Sequence, residues 1–229
     1  SALEAGGGGF CRDASLHLTD CAISENSADR RGGGIDFSFY PVALLKNCTI
    51  SGNQAGDYGG GFDLFAGGSP TLTNCRITGN SAGISGAGAR CTLESAPTLT
   101  NCTIADNSAG LDGGALSCYS DSAPTLTNCI LWGDTPNELA AYQSTPTLRY
   151  CDIEDGYEGE GNMSRKPVFR TLRGMEYLLG PASPCIDAGD PSIEDGVSDW
   201  HPLWPGWYAD GPRSDMGAYG GPGNGGWVR

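Results

Sequence analysis

The chain has 229 residues, 37 of them glycine, and a formal net charge of −14. That acidity argues against DNA, RNA or an anionic membrane as partner, because phosphate would be repelled, and no run of residues is apolar enough to span a bilayer. Ten cysteines beside two histidines and two lysines point to an oxidising, extracytoplasmic home, yet no CxxC pair or Cys/His cluster has the spacing of a zinc site.

The first residues, Ser1 to Gly6, carry neither a charged region nor an apolar core, so a signal peptide is expected to be absent or already removed. Gly6 to Phe10 already reads as the strand after a glycine bend, which has the chain entering mid-rung. From there a phrase recurs every twenty-seven residues: Pro70, Leu72, Asn74 and Cys75 return as Pro97, Leu99, Asn101 and Cys102. In chain order the cysteine column is Cys21, Cys48, Cys75, Cys102 and Cys129, followed by Cys151 after a shorter step of 22. Leu18, Leu45, Leu72, Leu99, Leu126 and Leu148 precede it, and Ile23, Ile50, Ile77, Ile104, Leu131 and Ile153 follow. Asparagine fills two columns, Asn47, Asn74, Asn101, Asn128 and then Asn26, Asn53, Asn80, Asn107. Glycine recurs at Gly32, Gly59, Gly86 and Gly113.

A period of this length signals a solenoid, in which each repeat buries a few side chains against its neighbours. Apolar residues two apart, such as Cys75 and Ile77, have the period of short strands with one face inward. The reading is all-β: three short strands per rung of about 27 residues, stacked as in-register parallel sheets about 4.8 Å apart. Asparagine tolerates left-handed backbone and bonds adjacent turns through its amide, and a stacked column of it would form a ladder. Recurring Pro70, Pro97 and Pro124, with much Gly, Thr, Asn and Ser, exclude a helical solenoid.

Leu99 through Ile104, then Asn107, Ala109 and Gly113-Gly114, follow the pattern T-L-T-N-C-T-I-x-x-N-x-A-x-x-x-G-G. Over residues 6–156 the chain resembles right-handed parallel β-helix proteins, particularly bacterial secreted and surface proteins. The resemblance implies a single-stranded right-handed coil. It is silent on activity, since this fold hosts lyases, hydrolases, adhesins and fibre proteins. The rungs are expected over 1–156, with 157–229 supplying one last irregular rung and a C-terminal cap. Ser183 to Gly189, Asp210 to Arg213 and Asp215 to Tyr219 resemble the tail of the bacterial choice-of-anchor Q type, which implies export and cell-surface association. Trp200, Trp204, Trp207 and Trp227 are expected to cover the last rung, with sugar stacking as the competing role.

The chemistry-bearing candidates are few. Cys91 and Cys118 form a second column, expected to bridge as a disulfide along with some pairs of the main column; a stack of free thiols is the competing reading. Asp36, Asp63 and Arg90 occupy one outward column of the strand after the glycines, and with Tyr119 they would line a groove for an extracellular glycan. Stacked carboxylates there would share a proton or bind calcium, with Arg90 as base or counter-charge. No polygalacturonase-type aspartate constellation appears, and neither His17 nor His201 lies in a glycine-flanked motif. No organic cofactor is implied. Calcium has weak candidates in Asp187, Asp190 and Asp195, in a Gly/Pro-rich loop where an Asx-bonded turn is the competing role. Outward Thr71, Thr73, Thr98, Thr100, Thr125 and Thr127 are good strand residues. Asn47, Asn101 and Asn162 sit in glycosylation triplets.

Two functions remain. The first is a non-catalytic, secreted structural solenoid that self-associates end to end into a filament or surface layer through an uncovered first rung. The second is a polysaccharide-binding protein, lyase or hydrolase of the β-helix type.

Overall fold

A computed structural model of the protein describes residues 4–195 and 211–224. Three parallel sheets, each six strands deep, form the walls of one coil. The first sheet holds Gly9–Arg12, Ile35–Ser38, Phe62–Phe65, Ala89–Thr92, Leu116–Tyr119 and Leu139–Tyr142. The second holds Ser15–Thr19, Val42–Lys46, Thr71–Thr73, Thr98–Thr100, Thr125–Thr127 and Thr147–Arg149. The third runs from Ala22–Ser24 through Thr49–Ser51, Arg76–Thr78, Thr103–Ala105 and Ile130–Trp132 to Asp152–Ile153. A fourth wall of two-residue strands, beginning at Ser27–Ala28, was not expected from the apolar pattern; one inward alanine per rung is too faint a period. Register follows the repeat, with Leu72 over Leu45 and under Leu99, and Ile77 between Ile50 and Ile104.

Inside the coil like side chains lie over like. The leucine, isoleucine and cysteine columns, together with Phe37, Phe62 and Leu64, form one continuous buried core. Phe37 and Phe62 meet edge to face at 6.2 Å. In the first rung Leu16, Leu18, Cys21 and Ile23 are only partly buried.

The two asparagine columns do different work. Asn26, Asn53, Asn80 and Asn107 form the expected ladder. Asn53 Oδ1 accepts the Asn26 backbone N–H and Nδ2 at 3.1 and 3.0 Å, and the same pair of bonds recurs from Asn53 to Asn80 and from Asn80 to Asn107. Each Nδ2 also reaches back to a third-sheet carbonyl, as from Asn80 to Ile50 at 3.0 Å. The other column sits at a left-handed corner, with φ of 52° at Asn47, 53° at Asn74, 50° at Asn101 and 55° at Asn128. Asn101, Asn128 and Asn74 turn their amides to the C-terminal tail. Asn101 Nδ2 donates to Ser214 Oγ at 2.9 Å and Asp215 O at 2.7 Å, and Asn128 Oδ1 accepts the Asp190 N–H at 2.6 Å. The Asn74 amide, oriented by its partners, meets Gly220 O and Asn224 N at 3.1 and 3.0 Å.

That docking corrects the expected position of the tail. The last rung is covered by a short segment instead. Met163 N–H donates to Cys151 O, Ile153 N–H to Met163 O, both at 2.9 Å, and Asn162 Nδ2 to Leu148 O at 3.0 Å. The antiparallel pair Phe169–Leu172 and Met175–Leu179 follows, and the tail then lies along the flank. Met175, Leu178, Leu179, Cys185, Met216, Ala218 and Tyr219 form a second core there with Ile130. Close approach explains the tail's glycines: a Cβ on Gly221 would stand 2.3 Å from Asn101 Oδ1. Trp200, Trp204, Trp207 and Trp227 lie outside the described residues.

The cysteines are a second correction. All ten are free thiols, Cys91 and Cys118 included, although these two are register partners. Side chains in stacked parallel strands are translated copies of one another, so neighbouring sulfurs leave in the same direction and miss the near-90° torsion of a disulfide. Each thiol of the main column donates instead to the carbonyl two residues earlier, as Cys75 does to Thr73 O at 3.3 Å and Cys129 to Thr127 O at 3.3 Å. Alkylation of unfolded, unreduced protein should therefore label all ten cysteines; a mass corresponding to fewer would contradict the thiol column. Asn80→Ala removes a doubly bonded rung of the ladder and should cost about 3 kcal/mol in urea unfolding.

Candidate functional site

The outer face of the first sheet is where the sequence placed its groove. Asp36, Asp63 and Arg90 are register neighbours, Asp36 beside Asp63 and Asp63 beside Arg90. Their alternation with inward Ile35, Phe62 and Ala89 makes them outward, as expected. They are nevertheless buried. The expectation failed because long side chains cover them, Arg31 and Tyr58 from beside the glycine corner and Arg90 and Phe65 from outward positions of neighbouring strands.

Those covering residues form a stack of rings and guanidinium groups. Arg90 grips Asp63 bidentately, Nε to Oδ1 at 2.6 Å and an Nη to Oδ2 at 3.1 Å, and lies 4.0 Å over the Tyr58 ring. Arg31 pairs with Asp36 at 3.5 Å and lies 4.7 Å over Phe65. Phe65 meets Phe39 edge to face at 5.7 Å, and Arg12 lies 4.2 Å over Phe39. The Ser38 hydroxyl donates to Asp36 Oδ1. Burial pushes Asp63 up to about 6 against the pull of Arg90, and raises Asp36 likewise. The fork-to-fork geometry at Asp63 is that of an ionised pair. A carboxylate closed off in this way has neither the open approach nor the free proton that acid–base catalysis requires.

Tyr119 lies farther along the same face. Its hydroxyl donates to Asp112 at 3.0 Å, and its ring stacks on Tyr142, centroids 5.2 Å apart and planes 13° from parallel. Burial and the Asp112 charge push the Tyr119 phenol up to about 12. Tyr142 keeps its other face in solvent and is 54 % exposed. Tyr40, 70 % exposed, is seated comparably: a Cβ on Gly67 would stand 2.3 Å from its ring, so the ring rests on the glycine. The sequence did not single out either tyrosine. Tyr142 was findable as the register partner of Tyr119 on the shortened last rung; Tyr40 sits at a corner with no recurring residue type.

The calcium candidates are engaged in turns. Asp190 Oδ1 accepts the Ser192 N–H at 2.9 Å and hydroxyl at 2.7 Å, which holds its carboxyl below the usual range. Asp187 Oδ1 accepts the Gly211 N–H at 3.1 Å, and Asp195 accepts from Gly221. Among the described residues no three His, Cys, Asp or Glu side chains converge on a metal position. Of the glycosylation triplets, Asn101 is buried against the tail, and Asn162 spends its amide on Leu148 O and Tyr157 O at 3.0 and 3.2 Å. A cleft of about 760 Å³ opens between Pro146–Arg149 and Gly156–Glu160, remote from the aspartate column. No helix among the described residues is long and apolar enough to cross a membrane.

Set against known proteins, residues 5–153 match the family model described as the right handed beta helix region. No curated protein and no solved structure matches the chain.

Removing one partner of the buried pair should show its structural weight. Asp63→Ala leaves Arg90 unpaired and should cost about 3–5 kcal/mol, whereas Asp63→Leu with Arg90→Met should recover most of that loss. Chemical denaturation of the two variants checks both outcomes.

Proposed function

Because this chain belongs to the right-handed β-helix family, whose fold names no reaction, we propose that it is a non-catalytic, extracellular solenoid that binds a glycan along the outer face of its first sheet. The observation that carries this reading is the pair of seated tyrosines, Tyr142 on Tyr119 and Tyr40 on Gly67. A ring fixed on one face and open on the other offers stacking area at little cost in side-chain entropy. Sugars present C–H faces to such rings. Tyr40 follows the second strand of the sheet and Tyr142 ends the sixth, so four steps of about 4.8 Å separate them, roughly 19 Å. That length suits a polysaccharide chain better than a single sugar. The buried Asp63–Arg90 pair supports a binding role over a lyase or hydrolase, since the column's carboxylates and base are spent on each other. Placement outside a bacterial cell, at its surface, is part of the proposal; it rests on the acidic composition and on the resemblance of the tail.

End-to-end assembly is the second reading, and it has its own observation. Leu16, Leu18 and Ile23 are only partly covered on the first rung, whose strands have a partner on one side only among the described residues, and an open edge of this kind recruits another strand. At the opposite end the Met163 segment pairs with the last strand of the third sheet, so a partner copy would meet that segment there.

Titration of the purified protein against a panel of neutral and acidic polysaccharides tests the first reading. Binding should appear for at least one class and fall about tenfold in Tyr142→Ala and in Tyr40→Ala, with circular dichroism unchanged. Absence of binding across the panel, or full affinity in both variants, rejects it. Strictly monomeric particles in concentrated solution by electron microscopy would reject the second.

A further inference from the structure

The amide ladder ends on a carboxyl pair. Asp134 stands where the next asparagine is due, and its Oδ1 accepts the Asn107 backbone N–H and Nδ2, each at 2.7 Å. Beside it, Glu138 Oε1 accepts the Asp134 N–H at 3.1 Å. That bond sets the two carboxyl groups side by side. Asp134 is 6 % exposed and Glu138 1 %. Their second oxygens, Asp134 Oδ2 and Glu138 Oε2, are buried and receive no N–H or O–H.

Among the described residues the charged neighbours are themselves acidic and do not reconcile two anions. Asp106 faces the pair from the preceding corner and holds the Tyr177 hydroxyl of the hairpin at 2.7 Å. Glu154, after the last strand of the third sheet, accepts the Gly133 N–H at 2.8 Å, and the neighbouring Asp155 accepts the Glu138 N–H at 3.1 Å. Among the described residues no ion pair reaches Asp134 or Glu138. Two buried carboxylates held side by side in such a place cannot both be ionised.

We infer that Asp134 and Glu138 share one proton, given by Glu138 Oε2 to Asp134 Oδ2, and that this proton fastens the last turn of the coil to its amide ladder as a pH-dependent closure. The assignment of donor follows from the bonds already made. Two short N–H contacts favour the Asp134 anion, while Glu138 accepts only one. Burial raises both groups, Asp134 to about 6 and Glu138 to about 10, the second helped by the Asp134 charge. Both lie above the unfolded carboxylate value of about 4. The stabilisation is therefore complete below about pH 4 and is lost as pH rises through 6 and toward 10. Where the native state holds one proton more than the unfolded chain, the unfolding constant grows about tenfold per pH unit.

Infrared spectroscopy near neutral pH and urea unfolding between about pH 5 and pH 10 test this. The wild type should show a protonated-carboxyl carbonyl band that Glu138→Gln lacks, and its unfolding midpoint should fall with pH more steeply than in Glu138→Gln or Asp134→Asn. Asn107 shows that the ladder accepts asparagine, so Asp134→Asn should fold; if either variant does not, the wild-type band itself must titrate away at alkaline pH. An infrared difference without that band, or equal pH slopes in all three proteins, overturns the inference. So does stabilisation by calcium that Glu138→Gln abolishes, which would put a cation where the proton is placed. None of these outcomes bears on glycan binding, which is read on another face.

Discussion

One repeated contact sets the geometry of the whole coil: an asparagine amide that accepts from the residue one rung below and donates onward. From Asn26 to Asn107 it recurs at distances of 2.9–3.1 Å. A buried amide of this kind tolerates neither a slip of register nor a change of pitch, because either would strand donors away from water at a cost of about 1–3 kcal/mol each. The apolar columns would accept small misalignments; leucine on leucine is indifferent to an ångström. The ladder therefore supplies specificity, and the stacked Leu, Ile and Cys columns supply most of the burial. The same logic explains how six thiols can stack in one column. With pitch fixed, each sulfur of that column finds a carbonyl two residues back, and burial holds thiols such as Cys102 and Cys151 protonated.

The outer face of the first sheet shows the same economy with charge. Two aspartates on adjacent rungs would repel, and they are reconciled by Arg31 and Arg90, each lying over an aromatic ring. Charge, ring and neighbouring rung are thus tied into one surface. The rings of Tyr40 and Tyr142 stay open to solvent beside it, whereas the two aspartates are closed off.

Much of this was legible in the residues alone, for a reason specific to solenoids. A period repeated five times makes a column visible even where each member is unremarkable, so the inward Leu, Ile and Cys positions, the glycine bend and the amide ladder could all be read directly. What does not repeat was hidden. Phe39, Tyr40, Leu93 and Glu94 all occupy left-handed corners, with φ of 59°, 56°, 54° and 62°, yet share no residue type. Asp36 and Asp63 are covered by Arg31 and Arg90 and by the rings these lie over, so outward was mistaken for exposed. The two asparagine columns are indistinguishable in spacing, and only the non-periodic tail reveals that one of them is a docking rail. Cysteine spacing matched the reach of a disulfide in distance but not in direction, and sequence encodes only the first.

The tail gives the coil a form of support that end-capping cannot. A plug on the last rung protects one edge; a strap along the flank ties successive rungs to one another. Through Asn128, Asn101 and Asn74, with Ala218 N–H on Thr103 Oγ1 at 3.0 Å, it bonds to three consecutive turns. In a one-dimensional array each repeat is stabilised only by its neighbours, and fraying from an end is the easiest opening. A lateral tie makes opening of one rung require release of the strap from the next. Cooperativity is thereby restored to an architecture that otherwise lacks it, and the outer face of the first sheet, which the described part of the tail leaves uncovered, inherits a rigid support.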